Sequence, residues 1–222
     1  MKITKQNVAY QSMTFLKALL AGLLIGVAAW LYLSVDNKYI GGALFSLALI
    51  LICFIDLRLF TSKNGYLVDE GNFYFVDVLV ILLGNIIGCL LVAFTISTIN
   101  NPDTMTKALD VYNHKTALPW YAKLLSAVFC GVLMHIAGYC YKKIENKLVV
   151  LVILAFIVMT FLLTGMEHSI ANVVFYTLGG WNWTVLGYFA IVVSGNMIGS
   201  AIIELLLNVI TYKGYKRLPS VH

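Results

Sequence analysis

Residues 164–172 read TGMEHSIAN, and they place a carboxylate and an imidazole, Glu167 and His168, at the end of the apolar run LVVLVILAFIVMTFLL. An imidazole has an ordinary pKa near ~6.5, so it is the side chain most easily charged or discharged near neutral pH. In apolar surroundings charging it is unfavourable unless an anion or a carboxylate arrives. His168 is therefore suited to meet an entering anion and to take part in moving a proton. Glu167 has the plainer reading of a group that orients backbone amides at an interruption of the helix. Asn85 and Asn196 lie in twin strings, GNIIGCLL at 84–91 and GNMIGSAII at 195–203. A carboxamide in hydrocarbon needs partners, so each either ties down a neighbouring broken segment or binds a ligand. Nucleophilic hydrolysis by Ser169 and His168 is excluded, because successive helical residues point about 100° apart and no GxSxG or HExxH string occurs. No phosphate-binding loop is present either, and the chain reads as a non-enzyme.

The elements that must carry these residues follow from composition. The 222 residues are 61% hydrophobic and 11% charged, with a mean hydropathy of +0.89, well beyond what the core of a soluble domain requires. The chain reads as an all-α integral membrane protein. Apolar runs long enough to cross the bilayer, roughly 20 residues each, fall at about 15–35, 39–60, 76–99, 121–141, 148–180 and 185–210. The first follows a basic, polar start but is too long for a signal peptide and lacks a small-x-small cleavage site, so it is expected to be retained as a helix. One transmembrane channel domain is expected over residues 1–222.

Lysine and arginine set the orientation. With both termini cytoplasmic, that side holds Lys2, Lys5, Lys17, Lys63, Lys142, Lys143, Lys147, Lys213, Lys216 and Arg217, and the other only Lys38, Lys107, Lys115 and Lys123. A multi-pass protein of the cell membrane with N and C termini inside is the expectation. The net charge of +5 thus reflects topology, and no basic cluster on a soluble fold suggests nucleic acid. Cys53, Cys89, Cys130 and Cys140 show no metal-ligand spacing, so neither metal nor cofactor is expected.

The second and fifth runs are interrupted, one by Asp56, Arg58 and Thr61, the other at Thr164 and Gly165, and each is followed by a helix bearing the GNxxG string. This is an internal repeat, about 15–99 and 121–210. Three helices per half cross the membrane an odd number of times, so the repeat is inverted. Irregular backbone at membrane depth is tolerated only when buried in protein or lining a wet cavity. The two breaks therefore point to a single pathway. Gly84, Gly88, Gly195 and Gly199 read as close-packing positions between helices.

LFTS at the first break, GMEHSIAN at the second and GNxxG in the third and sixth helices together resemble the formate/nitrite transporter family of anion channels. The resemblance covers nearly the whole chain. It implies an aquaporin-like protomer with helices 2 and 5 broken, a homopentamer in the lipid bilayer with a pore in each protomer, and a central histidine facing a threonine, here His168 and Thr61. It also implies hydrophobic constrictions at Phe45, Leu49, Leu59 and Phe60 for one gate and Phe161 near the other. A small monovalent anion such as formate, nitrite or hydrosulfide is then the expected substrate, with protons as the second partner. A neutral-solute channel of aquaporin type is the alternative, although no Asn-Pro-Ala string is present.

Three positions depart from the family pattern. Arg58 stands where an acid is usual, and either pairs with Asp56 or gathers anions at the cytoplasmic mouth. His135 replaces an asparagine and adds a second titratable group near the path. The family's vestibule lysine falls on Pro119, with Lys115 and Lys123 each about one helical turn away.

Overall fold

The computed structural model describes residues 5–211 apart from Gly71. The chain folds into helices α1 (Lys5–Leu33), α2 (Lys38–Phe54), α3 (Phe60–Lys63), a 3₁₀ turn η1 (Asn64–Tyr66), and α4 (Leu67–Glu70). It continues through α5 (Asn72–Ile99), α6 (Pro102–Ala117), α7 (Trp120–Lys143), α8 (Lys147–Leu163), α9 (Ser169–Gly179) and α10 (Trp183–Thr211). Helices α1, α5, α7 and α10 are long and apolar enough to cross a membrane, whereas α2, α8 and α9 are shorter apolar pieces. Many large apolar side chains face outward, among them Leu148, Phe156, Trp183 and Val209, as expected of a surface that meets lipid or copies of itself rather than water.

Each half has one close helix pair, α1 with α5 and α7 with α10, and the interrupted helices α2 and α8 pack on each other between them. Small residues make those pairs possible. A Cβ at Gly22 would strike the Asn85 backbone, and a Cβ at Gly131 would strike the Asn196 backbone. Gly84 and Gly195 sit in the same way against Ala18 and Ala127, so the small-residue reading of the GNxxG strings holds.

The two interruptions are also equivalent. Asp56 has φ 53° and Gly165 has φ 73°, and each is followed by a three-residue extended stretch before a new helix starts at Phe60 or Ser169. Glycine adopts that left-handed conformation freely. At Asp56 it costs more, and a short polar side chain is the type that best tolerates it.

Two features differ from the expected elements. Helix α1 begins well before residue 15, because its polar first turns are held by Tyr10 and Gln11, which donate to the Asp77 carboxylate of α5 at 2.7 and 2.5 Å. An additional helix, α6, occupies the stretch between the halves. Its start is encoded by Asn101, whose side chain accepts from the Thr104 amide, followed by Pro102, a standard opening for a helix.

Candidate anion pathway

The break residues are held by the two asparagines. Asn85 Oδ1 accepts from the Phe60 amide at 2.8 Å, and its Nδ2 donates to the carbonyls of Ala18 (2.7 Å) and Arg58 (2.9 Å). Asn196 Oδ1 accepts from the Ser169 amide at 2.9 Å, and its Nδ2 donates to the carbonyls of Ala127 (2.8 Å) and Glu167 (2.9 Å). Both carboxamides are fully buried. Every hydrogen bond they make goes to backbone of a break or of the paired helix, as the tying role requires. Each satisfies a break that would otherwise expose unpaired backbone groups in an apolar interior.

His168 is the N-cap of α9, its Nδ1 accepting from the Ala171 amide at 3.1 Å. That bond leaves the ring proton on Nε2, which lies 2.9 Å from Thr61 Oγ1. The imidazole donates there, and the threonine hydroxyl keeps its own proton for another acceptor. Both ring nitrogens are engaged away from Ser169. Phe161 stacks on the imidazole at 5.3 Å and 19°, and Phe45 meets Phe161 edge-on at 5.9 Å. This corrects the expected division of the constrictions: Phe45 belongs with Phe161 on the α6 side of His168, because one aromatic pair spans α2 and α8. Leu59 and Phe60 lie buried at the start of α3, on the other side of the break, and Leu49 is buried one turn along α2 from Phe45.

A cavity of about 280 Å³ opens on the α6 side and is lined by His168, Phe161, Lys115, Asn172, Tyr32 and His114, among others. At its wall Lys115 Nζ donates to Glu167 Oε2 at 3.1 Å, and Asn172 Nδ2 donates to the same oxygen at 2.5 Å. Glu167 thus orients a lysine and a carboxamide rather than backbone amides, which corrects the plainer role expected for it. Its own amide donates to Ser126 Oγ at 3.1 Å. Glu167 Oε1 and Asn172 Oδ1 are buried without a hydrogen bond among the described residues.

The two lysines sit differently. Lys123 donates to the carbonyls of Lys115, Thr116 and Leu118 and sits over the Tyr188 ring at 4.1 Å; it caps the end of α6. Lys115 is the ammonium that lines the cavity. At the other break, Asp56 is paired with Lys17 at 2.8 Å on an exposed surface, so the expected Asp56–Arg58 pair is replaced by this one. Arg58 is half-buried and its Nε has no hydrogen bond among the described residues. His135 is fully buried and bonds Glu204 of α10. Asn172 closes the GMEHSIAN string and could have been singled out there, whereas Ser126 and Glu204 carry no sequence signature beyond being polar in apolar helices. No cluster suited to a metal ion occurs among the described residues.

An all-α, multi-pass membrane fold with an inverted repeat, two broken helices and a buried histidine between them defines a channel-type transporter. The chain matches the formate/nitrite transporter family over residues 2–210 and belongs to that family. It is 26% identical to the formate-nitrite transporter of Entamoeba histolytica, over 89% of this chain and 64% of that one. To the formate channel FocA of Haemophilus influenzae the identity is 24%, over 75% and 66%. The chain therefore spans about two thirds of the length of these curated relatives. Among solved structures it resembles a pentameric formate channel with formate bound (TM-score 0.78, 22% identity, 94% of this chain and 99% of that one) and an ion channel of the same family (TM-score 0.76, 19% identity, 89% of each).

Proposed function

We propose that the protein conducts small monovalent weak-acid anions, such as formate, nitrite or hydrosulfide, through a pore in each protomer of a homopentamer. In this reading the α6 side faces outward, and the η1 side and both termini face the cytoplasm of a cell-membrane protein with six spans. The observation that carries it is the Thr61–His168 contact beneath a cavity walled by Lys115. The ammonium attracts an anion into the vestibule. Loss of water there favours the protonated acid, and a neutral acid crosses the Phe45–Phe161 pair at far lower desolvation cost than its anion. At the break it meets the Thr61 hydroxyl and the Nε2–H of His168. Because Nδ1 is occupied by the Ala171 amide, the ring acts as a neutral donor, and the anion takes its proton from hydronium of the solution at the vestibule, leaving water.

Proteoliposome uptake of a panel of formate, nitrite, hydrosulfide, lactate and a neutral solute tests the reading, together with His168→Asn across about pH 5 to 8. Preference for a small weak-acid anion is expected, with slower uptake in the variant at every pH because the Nε2–H donor beside Thr61 is lost. Equal passage of the neutral solute, or wild-type uptake rates in folded His168→Asn, would sink it.

A further inference from the structure

We infer that His135 and Glu204 form a second proton-binding site, on the η1 side, which couples protonation there to the arm that carries Thr61; the coupling rests on the channel reading above. His135 Nε2 and Glu204 Oε2 are 2.5 Å apart, so at least one proton lies between them. The other ring nitrogen, Nδ1, is buried without a hydrogen bond among the described residues. It faces Gly65 of η1, where a Cβ would come within 2.5 Å of it.

Packing does not demand this pair. Gly22 and Gly131 are equivalent and stand 109 residues apart; Asn85 and Asn196 are equivalent and stand 111 apart. At the same offsets His135 corresponds to Gly26 and Glu204 to Ala93, both buried apolar positions in the first half. Small residues close the α1–α5 pair at that level, whereas the α7–α10 pair holds two ionisable groups. Buried groups of this kind that the fold could replace by apolar ones point to a use.

The pair is also placed to act on the break. One turn away on the same two helices, Ser200 Oγ donates to Gly131 O at 3.1 Å and to Thr61 O at 3.4 Å. The Tyr66 ring covers His135 at 5.0 Å, and Lys142 Nζ lies 3.9 Å from the centroid of the same Tyr66 ring. The charged groups facing the pair are Asp69 of α4, Lys63 of α3 and Lys142 of α7. A second proton, taken from water on the η1 side, turns the pair from a net negative to a neutral group. That changes its attraction for Lys63 and Lys142 and hence the seating of η1 beside Thr61. The two groups titrate as one unit.

The test combines ¹⁵N-histidine resonances and the infrared carboxyl bands of the assembled protein with anion flux measured while pH is stepped on the η1 side alone. Signals removed by His135→Asn or Glu204→Gln are expected to change between about pH 5 and 8. Flux is expected to follow the step in the wild type and to lose most of that response in Glu204→Gln and in the His135→Asn, Glu204→Gln double variant, which leaves no buried charge unpaired. No spectral change in either group overturns the proton site. A titrating pair with the same flux response in wild type and folded double variant overturns the coupling. A protein that titrates yet passes no anion sinks the channel reading and the coupling, and leaves the proton site standing.

Discussion

At the scale of residues, the site is a division of labour among polar groups in an apolar interior. Among the described residues that line the cavity Lys115 is the lysine, since Lys123 is committed to three carbonyls. Lys115→Met is expected to raise the half-saturating anion concentration by about tenfold or more and to flatten its dependence on ionic strength. Flux measured at several salt concentrations checks this, and Lys123→Met should instead act on stability through the end of α6. The two breaks and the GNxxG strings could be read from sequence because they are local patterns, whereas the Thr61–His168 pairing came with the family resemblance and tying a break was one of two roles left open for Asn85 and Asn196. The partners of Glu167 could not be read. Asn172 lies one turn and a bit along α9 and Lys115 is 52 residues away, and which side chains meet across helices depends on register and rotation that no local pattern encodes. The same holds for Glu204, whose sequence neighbours are all aliphatic.

Elements raise a different question, namely how two broken helices are kept in place. The close pairs α1–α5 and α7–α10 answer it, and glycines set their separation. Gly131→Ala would drive a Cβ into the Asn196 backbone, and a contact with backbone cannot be relieved by a rotamer change. The expected result is loss of thermal stability by several degrees and, through the displaced Asn196, lower flux even in the protein that still folds; a melting curve in detergent with parallel flux checks it. Gly187→Ala, where nothing lies within 4 Å, is the control and should be neutral. Helix α6 leaves no mark in hydropathy because it is polar and amphipathic between strongly apolar neighbours. The Asn101–Pro102 start was its visible mark. The early start of α1 was hidden for the same reason: hydropathy locates the part of a helix that meets lipid and says little about polar turns secured by Asp77.

For the whole molecule, the two halves are joined by α6, and a surface ion pair ties it to the turn after α1. Lys107 Nζ contacts Asp36 Oδ1 at 2.7 Å. The hydrogen bond and charge of Lys107 hold the Asp36 carboxyl below its ordinary range. With the folded value depressed, any stabilisation from this group is fully present above the unfolded value of about 3.9 and disappears as pH falls through the folded one. The pair is well exposed, so the effect is small and salt-sensitive. Melting temperatures of wild type and Asp36→Asn are expected to differ slightly above about pH 4 and to converge in more acidic solution.

The asparagine ties have a consequence in time as well as in space. Phe60 and Ser169 open their helices with amides bonded to buried carboxamides, so neither can exchange its hydrogen with solvent unless its arm detaches. Both amides should rank among the slowest to exchange deuterium, with lifetimes set by large-scale opening rather than by fraying. Asn85→Leu should shorten the lifetime at Phe60 far more than at Ser169, and Asn196→Leu the reverse. Fast exchange at both positions in the intact protein would mean that the arms swing. Slow exchange means that the two arms stay seated, so that movement within the proposed path is left to side chains such as Phe45 and Phe161 against a still backbone.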